Sequence, residues 1–335
     1  MSLIAAGDSI PSTAVRRNPA VLIGLLVLLF GGALTFGDVD LPSPMMRSLL
    51  GAPEGAPAEP VVAAVDRGGR LFDEIGTWID VFDFDPAHTN GRPPVVPADV
   101  DGMADAGVRT LYLQAARPQD PRSPGDLVDP ELLGRFTERA HAHGMKVVAW
   151  YLPYFADLDD DMRHLSAMLA FRAAGRPFDG IGLDIEWRAA VPDPAARSAR
   201  LVELSRRLAD AAGDRPLAAI VLPPVLLEVV NPGYWPGFPW AGLKPYYDAW
   251  LPMSYWTNRT VASGFRDAHQ NTLSDVARLR ANLGDVKIHV VGGVADTATF
   301  EDYRGFASAL AEVGISGSSI YDWATGGPAA VAAIR

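Results

Sequence analysis

In the stretch FDGIGLDIEW, residues 178–187, Asp184 and Glu186 stand two positions apart inside an otherwise apolar run. In an extended chain the period of two sends Gly182, Asp184 and Glu186 to one side, and Ile181, Leu183 and Ile185 to the other. Two close carboxyls in a partly desolvated pocket cannot both ionise cheaply. One should therefore keep its proton near neutral pH and serve as a general acid. The same pattern would also suit an inward-facing ion-pair network around an arginine, so both readings stand at this point.

The rest of the composition removes several other chemistries. A formal charge of -11 and the lack of any basic stripe argue against nucleic acid as a partner, because that binding rests on clustered Lys and Arg. The chain has no cysteine, which excludes disulfides, thiolate nucleophiles and sulfur-ligated metals. No G-x-S-x-G nucleophile elbow occurs. Asp83, Asp85 and His88 in DFDPAH could ligate a divalent ion, but no second His pair accompanies them, so no metal and no cofactor are expected.

Eight short β-branched or aromatic runs could position the acids: 77–85, 108–116, 145–154, 180–187, 216–224, 247–256, 286–296 and 317–323. Helix signals lie between them. Asp129, Pro130 and Gly144 punctuate one helix, and Asp193, Pro194 and Gly213 a second. A third runs from Asp296 or Thr297 to Gly314. Strand then helix, repeated eight times, predicts a parallel sheet closed as a (β/α)8 TIM barrel over residues 71–335. An open doubly wound sheet would share the alternation, but no glycine-rich phosphate turn follows the first strand. In a barrel, Asp184 and Glu186 fall at the C-terminal end of the fourth strand, where active sites sit.

Residues 19–36, PAVLIGLLVLLFGGALTF, are uncharged and follow Arg16 and Arg17. Eighteen residues at about 1.5 Å each span roughly 27 Å, close to the hydrocarbon thickness. The positive flank predicts a cytoplasmic segment 1–18, a transmembrane anchor at 19–36 and an extracytoplasmic remainder. A cleaved secretion signal is the alternative. Residues 37–70, rich in Pro, Ala and Gly, read as a linker that holds the domain away from the membrane.

The 178–187 stretch resembles the fourth-strand signature of family 18 glycoside hydrolases, the chitinases and their relatives, written D-G-x-D-x-D-x-E. Asp179, Gly180, Asp184 and Glu186 match, and Gly182 departs. Met253 and Tyr255 in LPMSYW match the family's sixth-strand M-x-Y, with Trp256 standing where an acid or amide is usual. Trp323 in SIYDW fits the eighth-strand tryptophan that lies under the reactive sugar. The resemblance implies that Glu186 protonates the glycosidic oxygen and that Asp184 holds the substrate's acetamido N–H. The acetamido carbonyl oxygen is then the nucleophile, and Tyr255 donates to it. It further implies a polysaccharide substrate that is β-linked and N-acetylated. In place of an acid at 182, carboxylates from other strands are available: Asp83, Asp85 and Asp322.

Flat aromatic faces suit pyranose rings, and 231–250 carries Tyr234, Trp235, Phe238, Trp240, Tyr246, Tyr247 and Trp250, while Tyr151 lies at the third strand end. Packing of these rings onto the barrel is the competing account. Two rival functions are a muramidase-like hydrolase of another barrel family, also with a D-x-E on a strand, and a carbohydrate-binding barrel that has lost catalysis. The retained Glu186 favours an enzyme.

Overall fold

A computed structural model of the protein describes residues 69–118, 120–315 and 317–335. The expected cytoplasmic segment, the anchor and all but the last two residues of the linker lie outside these. Among the described residues no helix is long and apolar enough to cross a membrane.

The eight expected strands form, each shorter than its apolar run: β1 Ile75–Ile79, β2 Thr110–Ala116, β3 Lys146–Tyr151, β4 Gly180–Ile185, β5 Leu217–Val221, β6 Ala249–Ser254, β7 His289–Gly292 and β8 Gly317–Ile320. All pair in parallel in chain order, and β8 pairs with β1 to close the barrel. Outside them lie α1 Asp99–Ala106, α2 Pro130–Ala142, α3 Leu158–Ala170, α4 Pro194–Ala212, α5 Ala268–Leu283, α6 Phe300–Val313 and α7 Trp323–Ala333. The caps of α2 and α4 are the expected Asp129 and Asp193, each followed by proline. Helix α6 starts later than Asp296 or Thr297 would have it. Thr299 caps it because its side chain and that of Asp302 satisfy each other's backbone N–H groups.

The alternation is incomplete in the fifth unit. Between β5 and β6 the chain makes a π-helical turn, Leu226–Val230, a single α-turn, Trp240–Leu243, and a 3-10 turn, Lys244–Tyr246. Aromatic rings take the place of a long helix there. Trp240 and Tyr247 lie 5.9 and 5.8 Å from Trp250, and Tyr247 hydrogen-bonds Ser205 of α4 at 2.7 Å.

Large rings paired with glycines fill the barrel interior, as its taper demands. The Tyr112 ring lies over Gly76, where a Cβ would come within 2.5 Å of it, and Trp78 stacks on Tyr112 at 4.2 Å. Trp150 sets its edge against Trp78 at 6.0 Å. Trp78 Nε1 donates to Ser319 Oγ at 2.8 Å, and His289 Nε2 lies 2.9 Å from the same oxygen. This plug is the floor of the site.

Burial of His289 pulls its pKa down from 6.5 to about 4, so the fold holds it neutral. Between those values the unfolded chain binds a proton that the folded chain does not. His289 therefore contributes stability above about pH 6.5 that is lost as pH falls toward 4, roughly 3 kcal/mol in all. Denaturant titrations at pH 7, 5.5 and 4.5 should show this loss, and His289→Gln should flatten it. An unchanged slope in the variant would remove the assignment.

Candidate active site at the barrel mouth

The β4 register sets the geometry of the acids. Gly182 pairs with Ala218 and Asp184 with Ile220, and the side chains of this register point inward. Asp184 is buried, and Glu186, one residue past the strand, is half-buried. Burial, then the neighbouring Glu186, raises the Asp184 carboxyl well above the usual carboxylate range. Desolvation pushes Glu186 up to about 7. Among the described residues no Arg or Lys pairs with either acid, so the ion-pair network around an arginine is absent. Asp184 Oδ1 is buried and accepts no hydrogen bond from the protein. Trp150 Nε1 and the Tyr112 hydroxyl, from the floor below, are buried without partners as well.

Gly182, where the resemblance expects an acid, is closely packed. A Cβ at Gly182 would stand 2.8 Å from Ile220 Cδ1 and 3.3 Å from Trp150 Cβ. An Asp there would press on the free end of the Ile220 side chain, from β5, and on the Trp150 Cβ, from β3, which stands close to its backbone and has less room to give.

Tyr255, just past β6, joins the two acids. Its phenol is raised far above the ordinary value by burial, then by the charges of Asp184, Glu186, Asp322 and Asp80, so it remains a donor. Ser254 fixes this strand end from behind, donating to Asp275 of α5 at 2.6 Å. Asp275 also accepts from the Val225 N–H at 2.9 Å and from Asn271 at 3.1 Å.

Across the mouth stand residues that the sequence reading missed. Tyr321, one residue past β8, has its ring 6.0 Å from Tyr255 and 6.2 Å from Trp78, and its hydroxyl donates to Asp80 Oδ2. Asp80 ends β1 and caps the turn Val81–Phe84, accepting from Phe82 N–H at 2.7 Å while its own N–H donates to Asp83 at 3.1 Å. This cap stops the strand at Ile79 and places Asp83 and Asp85 in a turn. Asp322 caps α7 through Thr325. The signal for Asp80 was present in the run IDVFDFD, where Asp83, three residues on, is the acid of a capping box. Tyr321 carried none beyond its place at a strand end.

Asp80, Asp83 and Asp322 could each direct a carboxylate oxygen to one point, these atoms lying within 4.8 Å of one another. They are the described residues best placed to hold a cation. Backbone and hydroxyl donors already engage the group. The suggested set Asp83, Asp85 and His88 does not converge: His88 bridges Asp85 at 2.6 Å and Asp120 at 3.0 Å, away from Asp83.

Five expected sugar contacts are placed elsewhere. Asp179 precedes β4 and so lies at the opposite end of the barrel, roughly 16 Å along the strand from Asp184. There it accepts from Val147 N–H and meets His141 and Lys146. Tyr151 faces outward, because Trp150 takes the inward position, and it donates to Asp161 of α3 at 2.7 Å. Trp235 is buried between Phe155, Phe238 and Arg197, with Nε1 on Ser198. Trp256 is buried against Phe306 and the glycines of the β7 end. Trp323 leans outward, its ring edge 3.7 Å from where a Cβ on Gly102 of α1 would be. Tyr321, two residues before Trp323, sets its ring against Tyr255 at the mouth.

This barrel, with acids at the end of its fourth strand, has the architecture of the glycoside hydrolase (β/α)8 barrels. Among solved structures it is similar to a class V chitinase from Pseudomonas fluorescens Pf-5, at 11% identity over 78% of this chain and 100% of that one, TM-score 0.56. It is also similar to a GH18 chitinase from Pseudoalteromonas aurantia, at 13% identity over 78% and 98%, TM-score 0.56. An endo-1,4-beta-mannanase from Rhizomucor miehei shares 10% identity over 75% and 86%, TM-score 0.55. No protein-family model and no curated protein matches the sequence. The shared property is the fold, that of the chitinases and of other glycosidase barrels.

Proposed function

We propose that the barrel is a retaining glycosidase that cleaves a β-linked, N-acetylated polysaccharide with assistance from the substrate's acetamido group. The observation that carries this reading is Asp184, whose free buried Oδ1 lies beside an acid raised to about 7. Glu186 gives its proton to the glycosidic oxygen as the bond from that oxygen to C1 breaks. The acetamido carbonyl oxygen attacks C1, and Asp184 Oδ1 accepts the acetamido N–H, which gains positive character as the oxazolinium forms. Tyr255 donates its hydroxyl to the same acetamido group and orients it. Water then attacks C1 from the face the leaving group left, Glu186 takes its proton, and the anomeric configuration is retained. We extend the proposal to location: residues 19–36 anchor the protein, and the barrel faces outward toward wall or extracellular glycan.

Gly182 favours one second reading, a barrel that binds such glycans without cleaving them. Product release from matched N-acetylated and de-acetylated oligosaccharides separates the two. Cleavage of the acetylated set alone supports the assisted route. Binding without cleavage supports the second reading. The pH profile adds an independent check. Glu186 must begin protonated, and its pKa is raised to about 7, so kcat/KM should be held below that pH and decline tenfold per unit above it. A profile that climbs through pH 8 would assign the acid to another residue.

A further inference from the structure

We propose that the glycan taken by this site carries a carboxylate, and that Arg188, stacked on Tyr234 beside Glu186, binds it. The inference rests on the glycan-binding reading above and narrows its substrate class. Arg188 lies two residues past Glu186, half-buried, with its guanidinium 4.4 Å from the centroid of the Tyr234 ring. Tyr234 is itself buried, and its hydroxyl reaches the Glu186 carbonyl oxygen at 3.5 Å. The stack therefore holds a planar, bidentate donor over the ring that reaches the Glu186 backbone, two residues past the end of the strand that carries the acids.

That donor is not used by the protein. Among the described residues the Arg188 guanidinium makes no ion pair and no hydrogen bond, although the chain holds 40 acids against 29 Lys and Arg. A second cation stands close by. Arg197 is stacked 4.1 Å over the adjacent Trp235, and its pKa is lowered by burial and then by the charge of Arg188. Arg197 is committed to the carbonyls of Val191 and Pro192, leaving Arg188 as the free member of a like-charged pair. Two mutually repelling guanidiniums past the end of β4 are stabilised by an anion. A sugar carboxylate offers the matching fork.

The test uses the full chain with Glu186→Gln, so that binding is read without turnover. Three tetrasaccharides are titrated calorimetrically: neutral N-acetylglucosamine, alternating N-acetylglucosamine and N-acetylmuramic acid, and alternating N-acetylglucosamine and glucuronate. At least one acidic probe should bind about tenfold tighter than the neutral one, the worth of one charge-assisted hydrogen bond. Whichever does so tells a lactyl ether from a uronate. Adding Arg188→Met should bring the acidic-to-neutral ratio close to one, and Arg188→Lys should keep part of it by retaining the charge without the planar fork. Equal binding of all three probes, or a preference that survives Arg188→Met in a variant with unchanged melting temperature, overturns the inference. Preference for an acidic probe that the wild-type chain binds but does not cleave would uphold it and reject the hydrolase reading. Cleavage of the neutral probe with no preference would do the reverse.

Discussion

Glu186→Gln should lower turnover by about a hundred- to ten-thousand-fold, the range that general acid–base catalysis contributes, and leave saccharide binding in place. The amide keeps the size of the side chain but has no proton to give the leaving oxygen. The environment makes this effect large. Desolvation raises Glu186 to about 7, so the wild-type side chain is poised to give and retake a proton near neutral pH. An amide also removes the like-charge interaction that helps keep Asp184 raised, so the variant should fold at least as stably as the wild type. Single-turnover rates together with calorimetric binding read both effects. Turnover within about threefold of wild type would place the proton donor elsewhere.

The second large effect concerns position 182. By resemblance to the family, Gly182→Asp looks like a repair, and the packing predicts the opposite. The new Cβ would stand 2.8 Å from Ile220 Cδ1 and 3.3 Å from Trp150 Cβ, and the carboxyl beyond it would lie two residues along β4 from Asp184, whose own carboxyl burial already raises. Overpacking at the Trp150 Cβ and the burial of a second carboxyl close to Asp184 together should destabilise by roughly 2 to 4 kcal/mol. The fall in melting temperature should be on the order of 10 °C. Activity should drop and not rise. Shortening the neighbour tests the cause: Gly182→Asp with Ile220→Ala should recover stability relative to Gly182→Asp alone. Calorimetric scans of the three proteins decide it. A single variant as stable as wild type would show that the layer can accommodate an acid and would undo the packing argument.

These two predictions draw on different sources of information. The period of two in GLDIE put Asp184 and Glu186 on one face, and the alternation of runs and caps gave the barrel, because both signals are local and repeat along the chain. Tyr255 was legible only through the resemblance of Met253 and Tyr255 to the M-x-Y of the chitinase family's sixth strand.

What tertiary structure decided was where each remaining side chain points, and which groups meet from strands far apart in sequence. Tyr151 and Trp150 are adjacent, and only the pairing of Trp150 with Gly182 turns one inward and the other toward α3. Tyr321 reaches Asp80 across 241 positions through the closure of β8 on β1. Trp323, two residues on, has left the strand and leans on α1. Asp179 satisfies the motif and yet sits at the far end of the barrel, since a motif fixes spacing along a strand and not the end that faces substrate. The sequence by itself determined the barrel and the paired acids because hydrophobic period and capping are properties of neighbouring residues. The closed sheet alone set the occupants of the mouth, because register and closure bring together residues that no local pattern relates.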